Sequence, residues 1–247
     1  MVDYSSFVEH LQWICSGDKL FRDGADHYQI DRARFELDAK RIAPLAGLTV
    51  CEIGSFRGFG MRAFRGCARY IGMGRCPAWY ESVLVEEFGA EWFACDLEAD
   101  TDMPDLQCHP DVVILQEVLE HIRRPKALLT RIYAWMPAGA RLYLTTNNLH
   151  YIGYLLKMIA GREIFDSVMT ENSVYPGHCT YYSLSGLTTL LTDIGFIVES
   201  SSRVNLLPAA RFYRNRAFAF AKNCLTKSVP TRYATHIELV CRKSSTR

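Results

Sequence analysis

The chain has 247 residues, 49% hydrophobic and 22% charged, with a formal net charge of +1. That length fits one α/β domain or two small ones, the apolar share suffices for a substantial core, and the charged share excludes a disordered chain. The near-neutral total excludes a strong overall electrostatic preference, although the ends differ: between Arg203 and Arg247 stand ten Lys/Arg and one acid, Glu238.

Residues 3–43 have helical spacing. Phe7, Leu11 and Ile14 share one face, and Ile30, Arg34, Leu37 and Arg41 keep the period until Pro44 ends the run. This N-terminal helical cap, 1–44, covers either a core or a ligand cleft. A short buried strand follows over 48–53, carried by Leu48, Val50 and Ile53 and closed by Gly54. Gly58 and Gly60 come next, and a helical pattern runs over about 58–69. A strand, a glycine-bearing turn and a helix start let backbone come close to a ligand. Glu52, at the strand's end, can accept hydrogen bonds from amino or hydroxyl groups.

Alternation continues with a strand over 70–73, a helix over 77–88 with Pro77 in its first turn, and a strand over 91–94. After a polar segment come a strongly apolar strand, 111–116, a helix over 124–136 starting at Pro125, a turn at Pro137-Ala138-Gly139, and a strand over 140–146. This pattern predicts a parallel sheet with helices on both faces, whose ligands bind at the carboxyl ends of the strands where strand order reverses.

Residues 147–182 interrupt the alternation with an apolar helix over 149–160, a turn at Gly161 and the polar, aromatic run NSVYPGHCTYY. Insertions of this size are usually functional loops or lids. Ser183 then reads as the N-cap of a helix that Gly195 terminates. A sixth strand over 196–200, a basic helix-like stretch over 208–227 within the basic segment 203–234, and a last strand over 235–242 complete the chain. Without repeats or a low-complexity linker, the expectation is a single domain over 1–247.

Five stretches in order resemble the class I S-adenosylmethionine-dependent methyltransferases, in the small-molecule branch with a Val-Leu-Glu-His-Ile motif. They are Val50 to Gly58; Asp96-Leu97; DVVILQEVLEHI over 111–122 with Pro125; Met136 to Gly139 with LYLTTNN; and Gly177-His178 with Tyr181 to Leu184 and LLTDIGF. They span roughly residues 45–200. The resemblance implies a Rossmann-like three-layer sandwich with a mostly parallel seven-stranded sheet and an antiparallel last strand. It also implies S-adenosyl-L-methionine as cofactor. The turn at Gly54, Ser55 and Gly58 would lie against its methionine and ribose portions. Glu52 would anchor the methionine amino group, Asp96 would accept from the adenine amino group beside the Leu97 backbone, and Gln116 and Glu117 would border the methionine moiety. Two positions depart from the family pattern. Phe56 stands where glycine is usual, and Gly74 stands where the second strand usually ends in an acid that grips the ribose hydroxyls.

Methyl transfer to a hydroxyl or protonated amine requires an aligned nucleophile and a proton acceptor. Histidine suits the second task. His121 follows the fourth strand, and His178 sits in the lid with Tyr175, Tyr181 and Tyr182; both are candidate bases. The structural alternatives are a helix-entry cap for His121 and loop packing for His178. Tyr28, Tyr175, Tyr181 and Arg211 are the candidate substrate contacts. The linear spacing shows no metal-ligand cluster, so no metal is expected. The expected partner is a small polar molecule, neutral or anionic, with nucleic acid disfavoured for want of a recognisable module. The aromatic and basic stretch 208–227 allows peripheral membrane contact, and packing on the sheet is its structural alternative. The nine cysteines include no Cys-x-x-Cys pair, and MVDYSSFVEH has no secretory pattern, so the expected location is the cytoplasm.

Overall fold

A seven-stranded sheet in the order β3-β2-β1-β4-β5-β7-β6 forms the centre of the computed structural model. The structure describes residues 35–55, 60–74, 90–99, 101–162, 164, 178–206 and 216–244. In chain order, these give α1 over 35–42, β1 Thr49–Ile53, α2 Gly60–Ala63, β2 Arg69–Gly74, β3 Glu91–Ala94 and β4 Val112–Gln116. A 3₁₀ turn over Leu119–His121 leads to α3 Pro125–Trp135, β5 Arg141–Asn147, α4 Ile152–Ile159 and α5 Leu184–Ile194. The chain continues through β6 Phe196–Val204, α6 Arg216–Ser228, a 3₁₀ turn Thr231–Tyr233 and β7 His236–Lys243.

The expected α/β architecture is what the chain adopts. β1 pairs in parallel with β2 and β4, and β7 is antiparallel to both β5 and β6. All five residues of β4 are buried, as a parallel strand covered on both faces requires. Its side chains divide by the strand's two-residue period. Val113 and Leu115 join Leu128, Leu129 and Ile132 of α3 and Leu187 and Leu191 of α5 in one core. Val112 and Ile114 join Phe35 and Ile42 of α1, with Phe64, Tyr143 and Val240, in the other. Each fully buried leucine contributes about 1.5–3 kcal/mol of apolar burial.

The helix caps follow their sequence signals. Ser183 Oγ accepts from Gly186 N at 3.1 Å, and Gly195 ends α5 in the left-handed conformation, φ 115°. Other boundaries shift for stated reasons. The expected helix over 58–69 is helical only at Gly60–Ala63 among the described residues, because the chain turns at Gly66, φ 102°. The sixth strand runs to Val204, not Ser200, because β7 pairs with it along its length across a bulge between Val198 and Ser200. The helix of the insertion starts at Ile152 rather than 149, since Asn148 spends its side chain on a local turn: Oδ1 accepts from His150 N, and Nδ2 donates to Ala234 O at 2.8 Å. The expected helix over 77–88, most of the N-terminal cap and the first part of the 208–227 stretch lie outside the described residues.

Candidate active site

Strand order reverses between β1 and β4, so the crevice opens at their carboxyl ends. Gly54 leaves β1 at φ 83°, and its N–H donates to Met73 O at 2.7 Å. A Cβ here would strike the Val118 side chain. Gly74, at the end of β2, has φ 147°, a conformation that side-chain-bearing residues rarely adopt, and it lies against the Gly54 backbone. Any side chain at this position would have to take that conformation.

The remaining candidates on this side are placed as follows. Glu52 accepts from the Tyr70 hydroxyl and its carboxylate lies against Gly60 Cα, so it faces α2. Asp96 shapes a turn after β3, accepting from Glu98 N at 3.0 Å, and Leu97 O accepts from Arg131 at 3.1 Å. Ser55 Oγ is buried with no hydrogen-bond partner among the described residues. Gln116 donates through Nε2 to Asp38 of α1, which leaves its buried Oε1 without a partner there too.

A polar network fills the ends of β4, β5 and β7. Glu117 follows β4 with φ 53°, a strained conformation of the kind that clusters at functional sites. Its carboxylate lies 3.2 Å from His236 Nε2 and 3.5 Å from Asn147 Nδ2. Glu120 is fully buried. It accepts from Thr146 Oγ1 at 2.7 Å and Asn147 Nδ2 at 3.0 Å. Burial, and then the neighbouring Glu117 charge, hold the Glu120 carboxyl well above the usual carboxylate range. The pairing Asn147↔His236 across β5 and β7 is what assembles this group.

The lid residues that are described dock onto the same turn. Cys179 N and Thr180 N donate to Glu120 O at 2.7 and 3.1 Å, and Thr180 Oγ1 donates to Leu119 O at 2.7 Å. His178 thereby meets His121, ring centroids 4.8 Å apart. Tyr181 packs edge-on to Tyr154 at 5.3 Å and stands 6.0 Å from His178, while Tyr154 OH donates to Asn147 Oδ1. Glu120, His121 and His178 offer ligand atoms that all lie within 4.8 Å of one another, a set that linear spacing does not show. Asp38, Asn147, Tyr154 and His236 contact the candidate residues, and the sequence did not single them out. Only strand register and the packing of α1 bring them in. Tyr28, Gly58, Tyr175 and Arg211 lie outside the described residues.

Residues 27–201 match the family described as "Methyltransferase domain". The chain belongs to that family. Its class is the S-adenosyl-L-methionine-dependent methyltransferases, and S-adenosyl-L-methionine is the methyl donor. The chain is 24% identical over 190 residues to the ubiquinone biosynthesis O-methyltransferase of Aeromonas salmonicida (strain A449), covering 76% of this chain and 79% of that protein. Two solved structures share the fold. One is in the complex of the Haloferax volcanii Trm112 methyltransferase activator with a methyltransferase (TM-score 0.62, 18% identity, 92% of this chain and 94% of that one). The other is the Burkholderia thailandensis 1,6-didemethyltoxoflavin-N1-methyltransferase with bound 1,6-didemethyltoxoflavin and S-adenosylhomocysteine (TM-score 0.56, 15% identity, 99% and 92%).

The residues present fit the donor. The close approach of Gly54 and Gly74 leaves backbone free to line a ligand, and Ser55 Oγ and Gln116 Oε1, at the ends of β1 and β4, are buried polar atoms without partners among the described residues. No helix among the described residues is long and apolar enough to cross a membrane.

Proposed function

We propose that the chain methylates an oxygen or a nitrogen of a small polar molecule, such as a sugar, a nucleotide-linked sugar or a natural-product intermediate. The observation that carries this reading is the meeting of His121 and His178, from separate segments, beside the Glu117–Glu120–Asn147 network and the Tyr154–Tyr181 wall. An O-methyltransferase relative and an N-methyltransferase of the same fold support both acceptor types.

S-adenosyl-L-methionine supplies an activated methyl and a neutral thioether leaving group. In this reading Glu52, Gly54, Ser55, Gly58, Gly74, Asp96, Leu97, Gln116 and Glu117 line its site. Gln116 Oε1 takes an N–H of the amino group. His121 and His178 activate the acceptor's hydroxyl or amine, and Tyr28, Tyr175, Tyr181 and Arg211 hold the rest of the substrate. Phe220 and Leu225 stand exposed on α6 beside Lys227, which supports contact of that helix with a lipid surface. The described cysteines are all free thiols, which supports a cytoplasmic location.

Calorimetry with S-adenosyl-L-methionine and methyl transfer to a panel of sugar, nucleotide-sugar and phenolic acceptors test the reading. His121→Ala and His178→Ala are expected to keep donor binding and lose about 10²-fold or more in turnover. No donor binding at millimolar concentration would instead identify a non-catalytic relative. Full turnover in both variants would remove the histidines from the chemistry.

A further inference from the structure

We propose that Glu120, His121 and His178 form a binding site for a first-row divalent transition-metal ion. This deepens the functional reading above, because the two histidines would then act on the acceptor through a bound cation and not as free bases.

The geometry is that of a site nearly closed. Three lone-pair donors converge within 4.8 Å. Bonds of about 2.1 Å from a divalent ion place its ligand atoms roughly 3–4 Å apart, close to the span of this set. The donors come from two segments already tied together, since Cys179 and Thr180 donate to the Glu120 carbonyl. His178 is therefore held over the turn that carries His121.

The supporting contacts are those a metal site needs. Ligating carboxylates are typically fixed by outer hydrogen bonds, and Glu120 has one on each oxygen, from Thr146 and Asn147. Both donors are neutral. A fully buried carboxylate held by neutral donors alone is costly, and a dication between the carboxylate and the two imidazoles relieves that cost. The ligand types select the ion. Two imidazole nitrogens and one carboxylate oxygen suit manganese, iron, cobalt or zinc, whereas magnesium and calcium prefer oxygen alone. A set of two histidines and one carboxylate also leaves coordination positions open, as a site that engages a substrate group must.

The test uses the full chain, treated with chelator, freed of it, and titrated with cobalt(II) chloride without methyl donor. Calorimetry and the visible absorption of cobalt are read together. One ion per chain is expected, with slower amide exchange at Cys179 and Thr180 once it binds. His178→Ala and Glu120→Gln should each weaken binding by about 100-fold or more, since even an outer partner is worth about 10–100-fold. Glu120→Gln keeps the side-chain volume, and circular dichroism confirms that each variant folds. Absence of cobalt binding by the wild type, or equal binding by the wild type and His178→Ala, overturns the site. Because no donor is present, that failure leaves the methyl-transfer reading untouched. Failure of donor binding, in turn, leaves the metal result standing.

Discussion

One amide group of Asn147 serves two acids: Nδ2 lies 3.0 Å from Glu120 Oε1 and 3.5 Å from Glu117 Oε2. The side chain is itself buried and held in place by Tyr154 OH. Asn147→Ala removes a donor from a carboxyl with no access to water, and is expected to cost about 1–3 kcal/mol. Asn147→Asp replaces the donor by a third carboxylate and should cost more. Urea unfolding at neutral pH gives the order wild type, Ala, Asp. An Asp variant as stable as the wild type would show that the network does not depend on this donor.

Arg41 of α1 pairs with Glu238 of β7, whose side chain is only 4% exposed. Without the arginine, Glu238 keeps a hydrogen bond from Ser202 Oγ at 3.0 Å but loses its counter-charge. Arg41→Ala is therefore expected to destabilise by about 1–3 kcal/mol, the cost of stranding a buried acceptor. The double variant Arg41→Ala/Glu238→Gln should recover about half of that, because the stranded charge is gone. A double-mutant cycle by denaturant unfolding measures the difference.

At Gly74, φ is 147° and the neighbouring backbone of Gly54 leaves ordinary contact room for a Cβ. Strain, not collision, is thus the obstacle to a side chain. Gly74→Ala should cost about 1–3 kcal/mol. Gly74→Asp, which places an acid where the family pattern has one, should cost about as much and gain no donor affinity, because the strained backbone offsets what the carboxylate adds. Tighter donor binding by Gly74→Asp would show that the lost acid alone separates this chain from its relatives.

Burial pushes the Tyr182 phenol up to about 12. The unfolded phenol titrates at about 10, so the folded chain keeps a proton that the unfolded chain releases. The stabilisation is full below pH ~10 and is lost as pH rises from there through ~12. Tyr182→Phe should flatten the decline of stability across that window. Near neutrality it should change stability by about 1 kcal/mol or less, since the hydroxyl's bond to Leu119 O is long at 3.3 Å. Parallel unfolding curves for both proteins between pH 9 and 12 check the slope.

Much of this fold is local in origin and was legible for that reason. Strand–helix alternation, Pro125 at the start of α3, Ser183 and Gly195 at the ends of α5, and Gly54 at the ligand turn all act through their own neighbourhood. The candidate site was legible as a grouping where it stays on one stretch, as Gln116 to His121 do. It was not legible where it depends on register or docking. His236 stands in sequence far from Glu117, and only the antiparallel pairing of β5 with β7 brings it there. Asp38 likewise reaches Gln116 because α1 lies across the face of β4. The low-lying helix period of residues 30–41 marks a buried face but not which strand it covers.

The contact between Asp38 and Gln116 also gives the crevice a direction. An ionised carboxylate only accepts, so it claims the amide nitrogen and turns the amide oxygen the other way. Gln116 Oε1 is thus left as a buried acceptor without a partner among the described residues. If Gln116 borders the donor's methionine end, an ammonium there is favoured over a carboxylate, and Asp38 on α1 sets that preference.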